Sequence, residues 1–425
     1  MKKGLLLGAG FSYDLGMPLA SELTEIFLSL FNKDSIFIYA RFLSEHKPYG
    51  EERPINFNAI LEGLFEVIKF KQEKCNNYEE ILSTIQNLGK NHQRTLSDKD
   101  SYAYLNSLFY SIIWNILYQY QIISYQLLFH KNKNAYKKIE NIFSKNETWI
   151  FSLNHDLVIE LLALEFNIPI TYGDDKTINF PLSNIHPEKL NFTYSMRENY
   201  DKQVLNFFKD TRGINLVKLH GGLNEFEYKD KSLMCNLDLN GLSVDNFVTN
   251  FQKFNSMGYY YHDKKAPQGG QDMTITNNDY ELDIIRKSML TGGTKYSNTS
   301  NIKEGEEKLK VFEDILSEIN ELTIIGYGFG DEHINFRLSN AMVLNKNLSI
   351  KIIEPSSINI PEFLQQFNYN LRIQNSMCTA TQWISYSQNK TWDYKQKQQI
   401  DDNNRIREDI KNEVMNYFKQ KKDKK

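Results

Sequence analysis

The chain opens with MKKGLLLGAGFSYDLGMP (1–18), in which the apolar run KGLLLG (3–8) leads directly into a glycine turn. Apolar residues at helical spacing follow in LGMPLASELTEIFLSLF (15–31). A strand, a glycine turn and a helix in this order are typical of the opening of a nucleotide-binding α/β unit. Glycines at such a turn let the backbone approach a pyrophosphate, and the start of the helix attracts its charge. The same glycines would also suit a turn that only joins a strand to a helix.

The α/β pattern returns after about residue 145. Apolar runs that end in polar or glycine residues alternate there with segments of helical periodicity. They predict a strand flowing into a helix at 148–166, a strand and glycine turn at 215–223, a helix at 305–320, a strand at 322–330, a helix at 331–344 and a strand at 349–355. We therefore predict an α/β fold, with a Rossmann-like parallel sheet and helices on both of its faces.

The segment between the first α/β unit and the later ones is nearly free of glycine and reads as an inserted all-helical subdomain, 32–144. Helices are predicted over 57–70, 78–88 and 104–129, the last of them apolar on more than one side and so central in a bundle. Its aromatic residues would suit either core packing or base stacking, and the apolar setting favours the core. They are Tyr104, Tyr110, Trp114, Tyr118 and Tyr120.

The remaining segments give weaker signals. Residues 170–212 are polar and predicted irregular, and 224–304, which includes LTGGTKYSNTSN (290–301), is predicted to form loops that cover a site. A helix over 401–418 leads into the basic KQKKDKK, which suits a frayed, solvated end or a partner contact. We accordingly divide the chain into an α/β domain (1–31 and 145–385), the helical insertion and a C-terminal segment (386–425).

Composition excludes several classes of protein. The 425 residues carry 50 Lys and Arg against 53 Asp and Glu, a net charge of −3 that argues against direct nucleic-acid binding as the main function. The 3 cysteines are far apart and form no CxxC pair, so neither a zinc site nor a disulfide framework is indicated, and we expect no metal. No apolar run is long enough for a signal peptide or a membrane span, which predicts a cytoplasmic protein without a membrane partner.

Three motifs in chain order resemble sirtuins. GAGFSYDLGMP (8–18) resembles the sirtuin signature GAGISxxxGIP, SLNHD (152–156) resembles TQNID, and KLHG (218–221) resembles the catalytic His-Gly. Two departures put protein deacylation in doubt: Leu19-Ala20-Ser21 stands where sirtuin deacylases have Asp-Phe-Arg, and no zinc ribbon is present. GYGFGDEHIN (326–335) and FNAILEGL (57–64) resemble blocks of the sirtuin-like NAD hydrolases of bacterial anti-phage defence.

The resemblance implies hydrolysis of the bond between nicotinamide and ribose in NAD+, with Asn154 and His220 as the catalytic pair. Asn154 would steer a water, and His220 would accept a proton, because an ordinary imidazole is partly neutral at cellular pH. Taken alone, either residue would also suit a structural role, Asn154 as a helix N-cap and His220 as a hydrogen-bonded strand-end residue. His155, His186, His262 and His333 are interpreted as structural, because nothing in the sequence converges on them.

The same resemblance implies a set of NAD-binding residues. Asp156 would orient Asn154 or bind ribose, although it also suits an N-cap; Glu354 would hold the adenosine ribose; and Phe11 would shield nicotinamide. The complete set is Gly8, Ala9, Gly10, Phe11, Ser12, Asp156, Gly326, Tyr327, Gly328 and Glu354.

An enzyme that depletes NAD harms its host unless it is gated, so we expect a homo-oligomer or a defence partner, with a HerA-type hexameric ATPase as the favoured candidate. Two other functions stay open. One is a catalytically silent subunit that senses NAD or ADP-ribose, and the other is an NAD-dependent protein deacylase.

Overall fold

The computed structural model describes residues 2–45, 54–289, 306–356, 359–369 and 371–423. Strands are numbered in chain order. They are β1 (Lys3–Leu7), β2 (Glu147–Ser152), β3 (Ile170–Thr171), β4 (Lys176–Ser183), β5 (His186–Met196), β6 (Gly213–Lys218), β7 (Glu225–Tyr228), β8 (Leu233–Leu237), β9 (Tyr260–Tyr261), β10 (Lys264–Lys265), β11 (Asp272–Thr276), β12 (Leu282–Lys287), β13 (Glu321–Ile325), β14 (Ser349–Ile353) and β15 (Ile373–Ser376).

Helices are numbered in the same way. They are α1 (Ala9–Ser12), α2 (Ala20–Ser29), α3 (Ile36–Glu45), α4 (Phe57–Gln72), α5 (Tyr78–Lys90), α6 (Leu96–Ser124), α7 (His130–Asn132), α8 (Val158–Glu165), α9 (Val244–Ser256), α10 (Glu306–Glu318), α11 (Glu332–Leu344), α12 (Glu362–Asn368), α13 (Ala380–Asn389), α14 (Tyr394–Asn403) and α15 (Ile406–Asp423).

The central element is a parallel sheet whose strand order, within the described residues, is β15-β14-β13-β1-β2-β6-β3. Apolar side chains leave both of its faces, since Leu5 and Leu7 belong to one core cluster and Leu6 to the other. Helices α2, α6 and α8 pack on the first face, and α10, α11 and α12 on the second. The predicted fold class, a Rossmann-like parallel sheet with helices on both faces, is confirmed.

The strand order reverses at β1, because β2 lies on one side of it and β13 on the other. Chain connections leave such a point in opposite directions, which opens a crevice at the carboxyl ends of the strands. The turns after β1, β2, β6, β13 and β14 all open onto that edge of the sheet.

The helical insertion is present as predicted from its periodicity. Helix α6 buries most of its length, and a π-turn at Tyr125–Phe129 continues it, which accounts for the predicted end near residue 129. Trp114 stacks on Tyr118 with ring centroids 5.4 Å apart, and both are buried, as core packing predicts. Side chains of the insertion share a core cluster with both sheets, and the domain limits remain predictions.

Two segments predicted to be irregular instead form a second sheet. It is antiparallel, with strand order β11-β12-β7-β8-β5-β4, and Phe254 of α9 packs on Phe226 with centroids 4.2 Å apart. The prediction failed over 170–212 because the polar residues there hide an alternation in β4 and β5 that places Phe180 and Phe192 inward. Over 224–304, short strands separated by turns gave no long apolar run. LTGGTKYSNTSN (290–301) lies outside the described residues.

Helix boundaries differ from prediction at both ends of the chain. The helix predicted from residue 15 begins at Ala20, because Gly16 takes a φ of +98° and ends a short 3-10 turn. The helix predicted over 401–418 is divided into α14 and α15.

Candidate active site

A cavity of about 850 Å³ lies along the carboxyl ends of the parallel strands, and we call it the strand-end cavity. Its volume is in the range of small-molecule and cofactor sites. Residues from five strand ends line it, including Gly8, Ala9, Gly10, Asn154, Asp156, His220, Gly326, Tyr327, Gly328 and Glu354. The structure therefore brings most of the predicted site residues to one cavity.

The glycine turn after β1 packs tightly on the turn after β13. The Gly8 N–H donates to Ile325 O and the Gly10 N–H to Gly326 O, both at 3.0 Å. A Cβ on Gly326 would lie 2.5 Å from the Gly10 Cα, and Gly326 also has a φ of +64°. These glycines are therefore required by the contact between two turns, in addition to any approach to a ligand.

The helix after the glycine turn differs from expectation. Helix α1 has a single turn and is followed by a 3-10 turn at Tyr13–Leu15, so a helix dipole contributes little at this place. Phe11 is fully buried, with its ring edge-on to Tyr136 at 5.5 Å, and it is not among the cavity-lining residues. The structure does not place Phe11 where it would shield nicotinamide.

The Asn154 side chain is held by the turn after β1. Its Nδ2 donates to Gly8 O at 2.9 Å and to Ser12 Oγ at 3.2 Å. A carbonyl oxygen only accepts, so this contact fixes which end of the amide faces Gly8 and directs Oδ1 away from it. Asn154 does not cap α8, because the amide at the start of that helix, Val158 N, donates to Asp156 Oδ1 at 3.0 Å.

Asp156 supports Asn154 indirectly. The Ser12 hydroxyl that accepts from Asn154 also hydrogen-bonds the Asp156 carboxylate. Burial raises the pKa of the Asp156 carboxyl above its usual value, and the nearby Lys218 ammonium opposes that rise. Lys218 is itself buried and pairs with Glu160 at 2.7 Å. Asn154 is therefore connected, through Ser12 and Asp156, to a buried network of charged side chains.

His220 follows β6, is buried and reaches the cavity. Its Nε2 lies 3.1 Å from His333 Nε2 and 3.9 Å from Asp331 Oδ1. The interpretation of His333 as a structural residue on which nothing converges is wrong in that respect, because His333 meets His220 directly. The sequence signal was the DEH of GYGFGDEHIN, which places Asp331 and His333 together at the start of α11.

The other histidines occupy different positions. His155 is buried with Nδ1 3.1 Å from Gly221 O, and it lines the strand-end cavity. His186 and His262 are exposed and outside the cavity lining. Of these three, only His155 lies near the predicted site.

Glu354 follows β14 and lines the cavity. Its Oε1 accepts from the Ser356 hydroxyl at 2.6 Å, which orients the carboxylate at the strand end. Such a position after a parallel strand suits recognition of ribose hydroxyls.

Parts of the chain that the sequence analysis left out of the site complete the cavity wall. They come from the start of α5, from α6 and from the C-terminal helices, and are Asn76, Asn77, Tyr78, Glu79, Leu117, Thr379, Ala380, Asp401 and Asn404. Asp14 joins them to the first turn, because its carboxylate accepts from Thr381 Oγ1 at 2.7 Å and from Asn404 Nδ2 at 3.0 Å.

Arg407 also connects the C-terminal helices to the segment that follows the glycine turn. Its guanidinium donates to Tyr13 O at 2.6 Å and Met17 O at 3.1 Å, and pairs with Glu22 at 2.7 Å. No motif predicted these contacts, since they join residues almost 400 positions apart.

A second polar cluster lies at the antiparallel sheet, around a cavity of about 10 Å³ that we call the acidic cavity. Asp174, Glu225 and Glu227 line it. Lys308 pairs with Glu225 at 2.8 Å, and Arg197 pairs with Glu227. Space for about one water is all that this volume provides, so the cluster is a structural network.

Within the described part of the chain, no helix is both long and apolar enough to cross a membrane.

No protein-family model matches the chain, and neither does any curated protein. Solved sirtuin structures are similar in fold at low TM-scores. One described as the structural basis for sirtuin substrate affinity is 8% identical with a TM-score of 0.31, over 92% of each chain. A structure of Sir2Tm bound to a propionylated peptide is 7% identical with the same score over 92% of each chain. The fold assignment therefore rests on the parallel strand order described above.

Proposed function

We propose that the chain is an NAD+ glycohydrolase that cleaves the nicotinamide–ribose bond to give ADP-ribose and nicotinamide. The observation that carries the proposal is the strand-end cavity, which Asn154, His220, Glu354 and the glycine turn line together. The three sequence motifs that resemble sirtuins all lie at this cavity, which further supports a dinucleotide as its ligand.

The chemistry asks little of a general acid, because nicotinamide leaves as a neutral pyridine. Its departure leaves positive charge at the ribose C1′, as in glycoside hydrolysis. Both amide hydrogens of Asn154 are taken by Gly8 and Ser12, so Oδ1 is the group that can accept a hydrogen bond from water. The negative end of that carbonyl also favours the developing charge.

His220 accepts the proton that the water loses as it bonds to C1′. The balance is NAD+ plus water giving ADP-ribose, nicotinamide and a proton. Neutral imidazole has a single lone pair, and the His333 ring 3.1 Å away helps to fix its tautomer and orientation. Glu354 holds ribose hydroxyls at the far end of the cavity.

In the cell, the proposed activity depletes NAD+ as the effector of an anti-phage, abortive-infection system. This role rests on the resemblance of GYGFGDEHIN to the defence hydrolases. Gating would come from homo-oligomerisation or from a partner such as a HerA-type hexameric ATPase.

One observation favours a second function, a regulatory subunit that binds NAD or ADP-ribose without turnover. The Asn154 amide connects the turn after β2 to the turn after β1. A protein without catalytic activity would need Asn154 for that structural contact alone. Protein deacylation gains no support from the described residues.

The test is to incubate the purified full chain with NAD+, alone and with candidate partners, and to follow free nicotinamide by chromatography. Turnover that Asn154→Ala and His220→Ala abolish supports the hydrolase. Binding of NAD+ by calorimetry without turnover under every condition supports the sensor and contradicts the hydrolase.

A further inference from the structure

His220, Asp331 and His333 offer three metal-ligating atoms at one place. These atoms all lie within 4.8 Å of one another. His220 follows β6, whereas Asp331 and His333 lie at the start of α11, which follows β13. No single sequence motif contains all three residues, because 110 residues lie between His220 and Asp331.

The distances fit a tetrahedral ion. For zinc bonds of about 2.0 Å to nitrogen and oxygen, ligand atoms are about 3.3 Å apart. The Nε2–Nε2 distance of 3.1 Å and the Nε2–Oδ1 distance of 3.9 Å lie on either side of this value. Small rotations of the side chains would equalise them.

The surroundings suit an ion that enters from solution. His220 and Asp331 line the strand-end cavity, and the Asp331 side chain is 25% exposed. The Asp331 backbone is held in place by Tyr327. The Asp331 N–H donates to the Tyr327 hydroxyl at 3.1 Å, and that hydroxyl donates to the Asp331 carbonyl oxygen at 3.2 Å. With His220 and Asp331 at the cavity and His333 adjacent to His220, three protein ligands leave the fourth position for water or a small anion.

We propose that His220, Asp331 and His333 bind a divalent transition-metal ion of the zinc class, and that this ion switches the proposed NAD+ cleavage off. The binding stands on the geometry alone, whereas the inhibition rests on the proposed function. A metal on Nε2 uses the lone pair of the neutral imidazole, and Nδ1 then keeps its hydrogen. The ring can no longer accept a proton, so the ion removes the base without any change of fold.

The binding test uses the full chain, stripped of metal with a chelator, and Zn2+ alone as the probe. Isothermal titration should give one ion per chain. His333→Gln and Asp331→Asn should each weaken the affinity by about 100-fold or more, since each removes a direct ligand. The matched control is His186→Gln, which removes an exposed histidine outside the cavity and should leave the affinity unchanged.

Co2+ supplies a second readout, because tetrahedral Co2+ absorbs visible light strongly and should do so in the wild type but not in His333→Gln. Thermal unfolding without metal checks that each variant folds. If only one of His333→Gln and Asp331→Asn folds, that variant alone is enough to test the site. Absence of saturable Zn2+ binding, or binding that neither variant weakens, overturns the site and leaves a plain hydrogen bond between the two histidines.

Inhibition is tested separately. Zn2+ should suppress nicotinamide release by the wild type, and a chelator should restore it. For His333→Gln, the fractional inhibition at the same Zn2+ concentration should fall sharply, whatever its own rate. If the chain binds Zn2+ but never cleaves NAD+, the proposed function fails while the metal site stands; if cleavage continues with the site saturated, the switch is wrong.

Discussion

The strand-end cavity and the acidic cavity both gather buried polar groups, yet they differ about 85-fold in volume, 850 against 10 Å³. In the first, polar side chains follow parallel strands and face open space. In the second, they lie at an antiparallel sheet, and opposite charges occupy the space between them. We therefore expect substitutions at the strand-end cavity to change the proposed NAD+ cleavage, and substitutions at the acidic cavity to change the free energy of unfolding.

The largest effect is expected for His220→Ala in the strand-end cavity. Loss of a general base typically costs about 10²- to 10⁴-fold in rate, so kcat for NAD+ cleavage should fall by that factor. The free energy of unfolding should change far less. The control is His186→Ala, and an active, stable His220→Ala protein would contradict the assignment.

Lys308→Met should act on stability. The substitution leaves Glu225 buried without its partner, which typically costs about 3–5 kcal/mol. Urea unfolding measures this loss. Lys310→Met is the matched control, because that side chain is 67% exposed and its pair with Asp201 is worth at most about 1 kcal/mol. Equal effects of the two substitutions would show that the acidic cavity is not a stabilising network.

Asp174→Asn should change how stability depends on pH. Burial raises the pKa of Asp174 from 3.8 to about 6, whereas its hydrogen bonds from Thr193 and Asn236 oppose the rise. The Asp174 carboxyl therefore stays protonated to a higher pH in the folded state than in the unfolded state. The stability that this group provides below pH 4 is lost as the pH rises through about 6.

Relative to Asp174→Asn, the wild type should thus lose about 2–3 kcal/mol between pH 4 and pH 7. Denaturant unfolding across this range measures the difference. Asp175→Asn removes an exposed neighbour and should show no such trend. A flat difference for Asp174 would mean that its carboxyl stays hydrated.

The smallest effect is expected for Glu354→Gln. A hydrogen bond from a ribose hydroxyl to a carboxylate contributes about 1.5–3 kcal/mol to the binding free energy. The glutamine amide can still accept a hydrogen bond, so only part of this contribution is lost. KM for NAD+ should therefore rise about 3- to 30-fold, while kcat changes less. Glu362→Gln, an exposed site, is the control. A fall in kcat alone would place Glu354 nearer the reacting carbon.

The same two regions explain how far the sequence could predict the structure. Parallel strands buried on both faces read as continuous apolar runs such as Leu5–Leu7, and the glycine or polar residue that follows marks the site. In the antiparallel strands β4 and β5, by contrast, about half of the side chains are polar, and for that reason the composition predicted irregular structure over 170–212.

Within the candidate site, the residues that directly follow strands were predictable, among them Asn154 and His220. Asp331 and His333 belong to a motif that was recognised, but their meeting with His220 depends on the neighbouring order of strands. The contacts of Asp14 with Thr381 and Asn404 had no local signal at all, because nothing in either short segment indicates its distant partner.

Those last contacts have a consequence for protein synthesis. The wall of the strand-end cavity includes Asn404, and the guanidinium of Arg407 holds the carbonyls of Tyr13 and Met17 in place. A ribosome therefore has to translate past Arg407 before helices α14 and α15 can close the turn that follows β1. A nascent chain that already contains the glycine turn, Asn154 and His220 still lacks one side of its pocket.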